Sequence, residues 1–181
     1  ALAGGREGSE AARRERRAAE EADRTAARSA EVAERVRRGV TRATGRDAAA
    51  WPVRRLAGHA SMRSYWRAGT PPDSLVVMVM PPDGRPEEVT SGEPPPEEPF
   101  VNVQRYLERT GVRVPRIHAF LRSERLIVLE DLGDEMLETR LLAGDAPGPL
   151  YERAVDQLAR LRVRAERDPG EDALHAAEPR V

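Results

Sequence analysis

The sequence predicts an α+β domain: an antiparallel sheet of five strands with one inserted helix, a helical extension before it and further helices after it. Three observations indicate this class. Residues 1–50 are dominated by alanine, arginine and glutamate, a composition typical of an exposed helix. From Trp51 onward, short apolar runs of strand length are separated by glycine, proline and polar turns. After Gly133 the apolar residues return to helical spacing.

The N-terminal extension is predicted to be a helix in two parts. Glutamate and arginine recur four positions apart, a spacing that stabilises an exposed helix. A narrow apolar stripe is mostly alanine until Val36, so its first half offers little to bury. We expect 8–28 to be solvated or frayed, and 29–44 to dock on the domain and end at Gly45. One alternative is a helix that forms a coiled coil with a partner, which the alanines of the apolar stripe disfavour. The other is a basic arm that binds nucleic acid, which the acidic residues between the arginines disfavour.

Five segments have the length and composition of β-strands. The first two flank a glycine-centred turn, and the last two form a hairpin around Ser123–Glu124. Alternation in the second strand places Trp66 and Ala68 on one face of the sheet and Arg63, Tyr65 and Arg67 on the other. The five strands are Val53–Leu56, Met62–Ala68, Leu75–Met80, Ile117–Leu121 and Leu126–Glu130.

Helices are predicted on both sides of the last hairpin. The first begins at Phe100 and ends at Gly111, a suitable C-cap, with Phe100, Val103 and Leu107 on one face. Two more are expected after the sheet, at Glu135–Leu142 and at about 150–166. The tail beyond them has no periodicity.

Composition excludes several kinds of chemistry. The chain has no cysteine, so disulfides and thiolate metal sites are impossible. All 30 basic residues are arginine, which excludes any mechanism that needs a lysine amine. The net charge of −1 argues against a nucleic-acid binder. The apolar runs are too short to cross a membrane and no signal peptide is visible, so we expect a cytoplasmic protein.

Four consecutive segments together resemble a known family. LAGHASMRSYWR, SLVVMVMPP, PFVNVQRYLERTGVRVPRIHAF and LIVLEDLG follow one another as in the aminoglycoside-phosphotransferase-like kinases, which have a protein-kinase-like fold. The branch they resemble most is that of the bacterial N-acetylmuramate/N-acetylglucosamine anomeric sugar kinases of cell-wall recycling. The resemblance covers about residues 51–165. It implies the N-terminal lobe of such a kinase and the first helices of an incomplete C-terminal lobe.

The resemblance also implies the domain division and the ligands. Residues 1–50 form the helical extension, 51–133 the nucleotide-binding lobe, and 134–181 the start of a truncated helical lobe. Within the second unit, 83–99 is a Pro/Glu-rich loop or mobile insert and 130–133 is the hinge. The expected ligands are ATP, Mg²⁺ and a small-molecule acceptor, which the resemblance implies is a sugar. The expected partner is the missing C-terminal lobe, and neither nucleic acid nor membrane is expected.

The implied cofactor site has three parts. A loop lies over the ATP phosphates, a strand residue covers the adenine, and the hinge backbone hydrogen-bonds the adenine edge. The matching positions are Gly58, Ala60, Ser61 and Arg63 in the loop, Val77 in the strand, and Glu130, Asp131 and Leu132 in the hinge.

Departures from the family concern the charged groups. His59 replaces an aspartate in the turn, and Val79 stands where the branch carries an acid. Without the kinase lysine, Arg63 is the first candidate for a phosphate clamp, and Arg67 faces the same way. The chain has no His-x-Asp loop followed by asparagine, and its only asparagine is Asn102. We therefore expect no catalytic or metal-binding residue in this chain, at best weak nucleotide binding, and no phosphate transfer.

Other interpretations stay open or are rejected. An aminoglycoside or choline kinase relative of the same fold is one alternative. A non-catalytic nucleotide-binding or interaction module is another, favoured by the absence of lysine and the changed turn. A hydrolase triad at His59 lacks a GxSxG elbow. Three scattered histidines make no metal site, and the few aromatic residues make no nucleic-acid stacking surface.

Overall fold

The computed structural model describes residues 4–57, 62–81 and 98–167, and within these ranges the chain forms four α-helices and five β-strands. The predicted α+β class is confirmed. The elements are α1 (Gly4–Thr44), β1 (Val53–Arg55), β2 (Ser64–Ala68), β3 (Leu75–Val79), α2 (Pro99–Arg109), β4 (Ile117–Leu121), β5 (Leu126–Glu130), α3 (Leu137–Leu142) and α4 (Pro147–Arg167).

The five strands form one sheet in the order β1-β2-β3-β5-β4, and every neighbouring pair is antiparallel. The predicted five-stranded antiparallel sheet is therefore confirmed, with β4 and β5 at their predicted bounds. β3 and β5 lie inside the sheet, which explains their continuous apolar runs. Val77 pairs with Val128 across these two strands.

Helix α1 covers one face of the sheet. Its first part is exposed from residue 12 to residue 28, and its last part docks, as predicted for 29–44. Val36 and Val40 are both fully buried. They pack on the inward-facing residues of the strands, which are Trp66, Ala68, Leu75, Val77, Val79, Leu126 and Val128.

A glycine permits the close approach of α1 to the sheet. A Cβ added at Gly39 would lie 2.7 Å from Leu126 Cδ1, so a larger residue would force the helix away. At the end of the helix Gly45 has φ +71° and donates its N–H to Thr41 O at 2.8 Å, as the sequence predicted.

Helix α2 lies on the opposite face and packs its Val101 on Met78, Ile127 and Leu129. The predicted apolar face is only partly correct, because Val103 is 38% exposed. The adjacent position, Gln104, is buried instead, and its amide donates to Pro115 O at 3.2 Å. A buried polar side chain is stable there because this hydrogen bond satisfies it.

The end of α2 is closed by two groups. Gly111, at φ +76°, donates its N–H to Glu108 O at 2.9 Å, which confirms the predicted C-cap. Arg164 of α4 donates to Thr110 O at 2.5 Å, where a cation neutralises the carbonyl end of the helix.

No residue of α3 or α4 is buried. None of the described helices combines the length and apolar composition that crossing a membrane requires.

Val36→Ala should lower the free energy of unfolding by about 2 kcal/mol, because it removes buried methyl groups and leaves a cavity between α1 and the sheet. Val155→Ala is the matched control, since the same change is made in a helix at a side chain that is 60% exposed. It should alter stability by less than about 0.5 kcal/mol. Urea unfolding followed by circular dichroism measures both, and equal effects would contradict the docking of α1.

Candidate functional site

Five of the eight predicted cofactor-binding residues can be placed. Gly58, Ala60 and Ser61 lie outside the described residues. The other five fall at three places: Arg63 lies immediately before β2, on the α2 side, Val77 lies within β3, and the hinge residues lie where β5 leaves the sheet. These five are Arg63, Val77, Glu130, Asp131 and Leu132.

Arg63 forms an ion pair with Glu98, the residue that precedes α2. Its Nη2 lies 3.5 Å from Glu98 Oε1, and the two side chains are only 10% and 6% exposed. Low exposure strengthens the attraction relative to a surface pair. The pair therefore joins the strand after the glycine turn to the first turn of α2.

Arg67 is bonded to two carboxylates and is only 2% exposed. Its Nη2 donates to Asp131 Oδ1 at 2.8 Å, and its Nη1 donates to Asp134 Oδ2 at 2.5 Å. Its Nε lies 2.5 Å from Asp131 Oδ2 as an ion-pair contact without aligned hydrogen-bond geometry. Ser74 Oγ also donates to Asp131, at 2.6 Å. Arg67 is expected from the sequence to face the same way as Arg63, towards phosphate, but its guanidinium is bound to the buried Asp131 and to Asp134, whose side chain is 71% exposed.

Hydrogen bonding sets the charge state of this cluster. Burial opposes ionisation of Asp131, but hydrogen bonds from Arg67, Ser74 and the Gly133 N–H outweigh it and hold the pKa of Asp131 below its ordinary value. The Arg67 hydrogen bond lowers the pKa of Asp134 as well. Both carboxylates are therefore ionised at neutral pH, and the same bonds raise the pKa of Arg67.

Glu130 is held by other partners, at the start of the segment 130–133 that leaves β5, which we call the connector. Arg113 donates to both its carboxylate oxygens, at 2.9 Å to Oε2 and 2.5 Å to Oε1. The Arg116 N–H donates to Oε2 at 3.1 Å. The bonds from Arg113 and Arg116 hold the pKa of Glu130 below its ordinary value. The side chain therefore fastens the start of β4 to the end of β5.

The connector exposes its backbone at Leu132 and Gly133, between Asp131 and Asp134, which are both bonded to Arg67. Gly133 has φ +83°, and its N–H donates to Asp131 Oδ1 at 2.9 Å, which closes a tight turn. Leu132, at the tip, has a 55% exposed side chain, and its N–H makes no hydrogen bond within the described part of the chain. The connector thus presents a fixed, unused peptide donor.

The strand residue chosen from the sequence faces α1. Val77 is fully buried among the residues that pack on α1, whereas its neighbour Val76 is partly buried on the α2 side with Tyr65. A side chain enclosed between the sheet and α1 cannot contact a ligand on the α2 side. In this fold Val76 is the β3 residue next to the connector on that side, since it pairs with Leu129.

Sequence reasoning missed the partners of the charged residues. Ser74, Glu98 and Asp134 complete the two buried ion-pair clusters, yet each partner lies 35 to 67 positions from its arginine or aspartate. No local pattern reports such contacts. Among residues 4–57, 62–81 and 98–167, no group of three metal-ligating side chains is close enough to hold a metal ion. The described site can orient a ligand through peptide groups and guanidinium groups.

The fold and the site define an α+β domain with a helix on each face of an antiparallel sheet and an anchored connector at one edge. The chain is similar to the N-acetylmuramate/N-acetylglucosamine kinase of Caulobacter vibrioides (strain ATCC 19089 / CIP 103742 / CB 15), with 32% identity over 123 residues. The match covers 57% of this chain and 33% of that protein, so the chain spans about a third of the relative's length. No protein-family model matches the chain, and no solved structure matches it significantly.

Arg67→Met should lower the free energy of unfolding by about 3–5 kcal/mol, because it leaves the Asp131 carboxylate buried without its cation. Arg54→Met is the control: Arg54 also reaches Asp134, at 3.5 Å, but its side chain is 59% exposed. Its replacement should change stability by less than about 1 kcal/mol. Chemical unfolding of both variants measures the difference, and an unaffected Arg67→Met would contradict a structural role for the pair.

Acid should weaken the same cluster. The pKa values of Asp131 and Asp134 are lower in the folded chain than in the unfolded chain, so their contribution to stability is complete above about pH 5 and is lost as the pH falls towards pH 2. Asp131→Asn should lower stability at pH 7 and flatten this acid dependence. Asp156→Asn, at an exposed site on α4, should leave the curve unchanged. The measurement is the free energy of unfolding across this pH range. If Asp131→Asn showed the same pH dependence as the parent chain and Asp156→Asn, the stabilising role of the Asp131 carboxylate would be contradicted.

Proposed function

We propose that this chain is the nucleotide-binding lobe of an ATP-dependent sugar kinase with a protein-kinase-like fold. The observation that carries the proposal is the buried Arg63–Glu98 ion pair. Protein kinases position their phosphate-binding lysine by an ion pair with a glutamate of the helix that follows the third strand. Here α2 follows β3, Glu98 is the residue before its first turn, and Arg63, immediately before β2, supplies the cation.

Arg63 is the proposed phosphate-binding residue. A guanidinium has a planar fork of donors that suits phosphate oxygens, and it stays ionised at any physiological pH. Arg63 lies two residues after the turn at 58–61, which is proposed to cover the phosphates through Gly58, Ala60 and Ser61. The pair with Glu98 orients the guanidinium from the α2 side.

The connector is the proposed adenine site. Its backbone groups at Glu130 and Leu132 would hydrogen-bond the adenine edge, and the unused Leu132 N–H supports this. Both flanking acids serve structural partners, Glu130 with Arg113 and Asp131 with Arg67, so their side chains anchor the segment. Val76, in place of Val77, is proposed to cover the adenine ring.

The acceptor and the rest of the enzyme are proposed from the relative. That protein is named a kinase of N-acetylmuramate and N-acetylglucosamine, so an amino sugar is the proposed acceptor. Mg²⁺ would accompany ATP, and its ligands together with the base would come from a C-terminal lobe. The surface proposed to pack on that lobe is formed by exposed apolar residues of α3, of α4 and of the segment before α3. These residues are Met136, Leu142, Tyr151, Val155 and Leu158. This chain alone should transfer no phosphate to either sugar.

Two variants should separate adenine recognition from phosphate recognition. Leu132→Pro removes the proposed donor and should weaken both ATP and adenosine binding about tenfold, whereas Leu132→Ala keeps the N–H and should bind normally. Arg63→Met should weaken ATP binding about tenfold and leave adenosine binding unchanged. Calorimetric titrations of the four proteins, including the parent, measure these affinities.

Spectra of the ¹⁵N-labelled parent chain locate the ligand. ATP should shift the amide signals of the connector and of the start of β2. Circular dichroism establishes that each variant keeps the parent fold. Shifts confined to α1, or equal ATP affinities in all four proteins, would overturn the nucleotide-binding proposal.

A further inference from the structure

A groove on the α1 side of the sheet collects arginine side chains. It has a volume of about 430 Å³ and lies between α1, the start of β2, the end of β3 and the turn before β5. Arg28 and Arg35 come from α1, and Arg125 comes from the turn before β5. Its floor is apolar, formed by residues such as Val32 and Val79. This groove lies on the face opposite α2, away from the proposed nucleotide site.

Two of these arginines differ from their neighbours on α1 because, within the described residues, they form no ion pair, although Glu31 lies one turn away from each. Arg37 and Arg38 pair with Glu34, and Arg42 pairs with Glu124. Neither Arg28 nor Arg35 forms an ion pair with any residue that the structure describes. The Arg35 Nε is enclosed by protein and has no hydrogen-bond partner among the described residues. The Arg35 side chain as a whole is only partly buried and lines the groove, so an anion there would supply the charge that no carboxylate supplies.

The third arginine is held in an uncommon conformation. Arg125 has φ 55° and ψ 46°, and it is the non-glycine residue with positive φ in the described ranges. For a residue with a Cβ this left-handed conformation costs about 1 kcal/mol or more. The conformation is held by the Arg125 N–H bonded to Arg122 O and by its carbonyl accepting from the Met80 N–H. Its Nη1 donates to Pro81 O at 2.9 Å, which places the guanidinium at the rim of the groove.

We propose that this groove binds a small phosphorylated or carboxylated molecule. Arg28, Arg35 and Arg125 contact the anionic group, and the apolar floor accommodates the organic part of the molecule. Guanidinium groups suit such oxyanions because their donors match pairs of oxygen atoms. Glu31 also lines the groove, and its charge opposes the anion. Affinity is therefore set by the balance of three cations and one carboxylate.

Inorganic phosphate and phenyl phosphate are the probes, titrated into the full chain at constant ionic strength and followed by the Arg35 Nε–H signal in NMR spectra. Both should bind saturably and move this signal. Phenyl phosphate should bind more tightly, because its ring packs on the groove floor, and phenol should leave the signal unmoved. Acetate tests whether the groove also binds a carboxylate. If phosphate shifts the Arg35 Nε–H signal and acetate does not, the bound molecule is a phosphate. A saturable shift of the signal by either anion supports the proposal.

Charge variants test the assignment in opposite directions. Arg35→Gln should weaken phenyl phosphate binding about tenfold, and Glu31→Gln should strengthen it several-fold. Arg24→Gln, which removes the same charge from the exposed part of α1, should leave it within about twofold. The variants are compared by calorimetry after circular dichroism shows that they fold. Equal affinities in all of them, or a response to chloride as large as to phosphate, would overturn the proposal.

Discussion

The buried charge of Arg67 is the constraint on which one corner of the sheet depends. A guanidinium that is 2% exposed is stable only while carboxylates replace the water it has lost. Asp131 and Asp134 supply that charge, and Ser74 holds Asp131 from the start of β3. The cluster therefore joins β2, β3 and the segment that follows β5 at one point. Because Asp131 and Asp134 are both bonded to Arg67, the backbone of Leu132 and Gly133 is held at both ends.

The two faces of the sheet are covered in different ways, and this limits where a ligand can bind. Against α1 the strands present a continuous apolar layer, and Gly39 lets the helix lie close to Leu126. Against α2 the apolar cluster is smaller, and charged residues border it: Arg63 with Glu98, and Arg67 with its aspartates. Charged pairs therefore border the α2 side of the sheet, whereas on the α1 side the arginines lie in a groove between α1 and the end of β3.

Local patterns predicted the fold well and the site only in part. The bounds of β4 and β5 followed from apolar runs between turn residues, and the ends of α1 and α2 followed from Gly45 and Gly111. The residues 75–79 are apolar throughout, so alternation could not show that Val77 faces α1 and Val76 faces α2. Gln104 could not be recognised as buried, because its partner is a carbonyl 11 positions away. The roles of Arg67 and Asp131 depend on each other across 64 positions.

The alternation of β2 also separates the two sites proposed for this chain. Arg63 lies at the α2 side, where Glu98 orients it, while Ser64 and Trp66 face α1, and Ser64 lines the arginine groove. Neighbouring residues of one strand thus contribute to opposite faces of the sheet, as the pleat requires. Exchange of an arginine at one face leaves the side chains of the other face in place. The nucleotide proposal and the anion proposal can therefore be tested separately by substitutions on the two faces of the sheet.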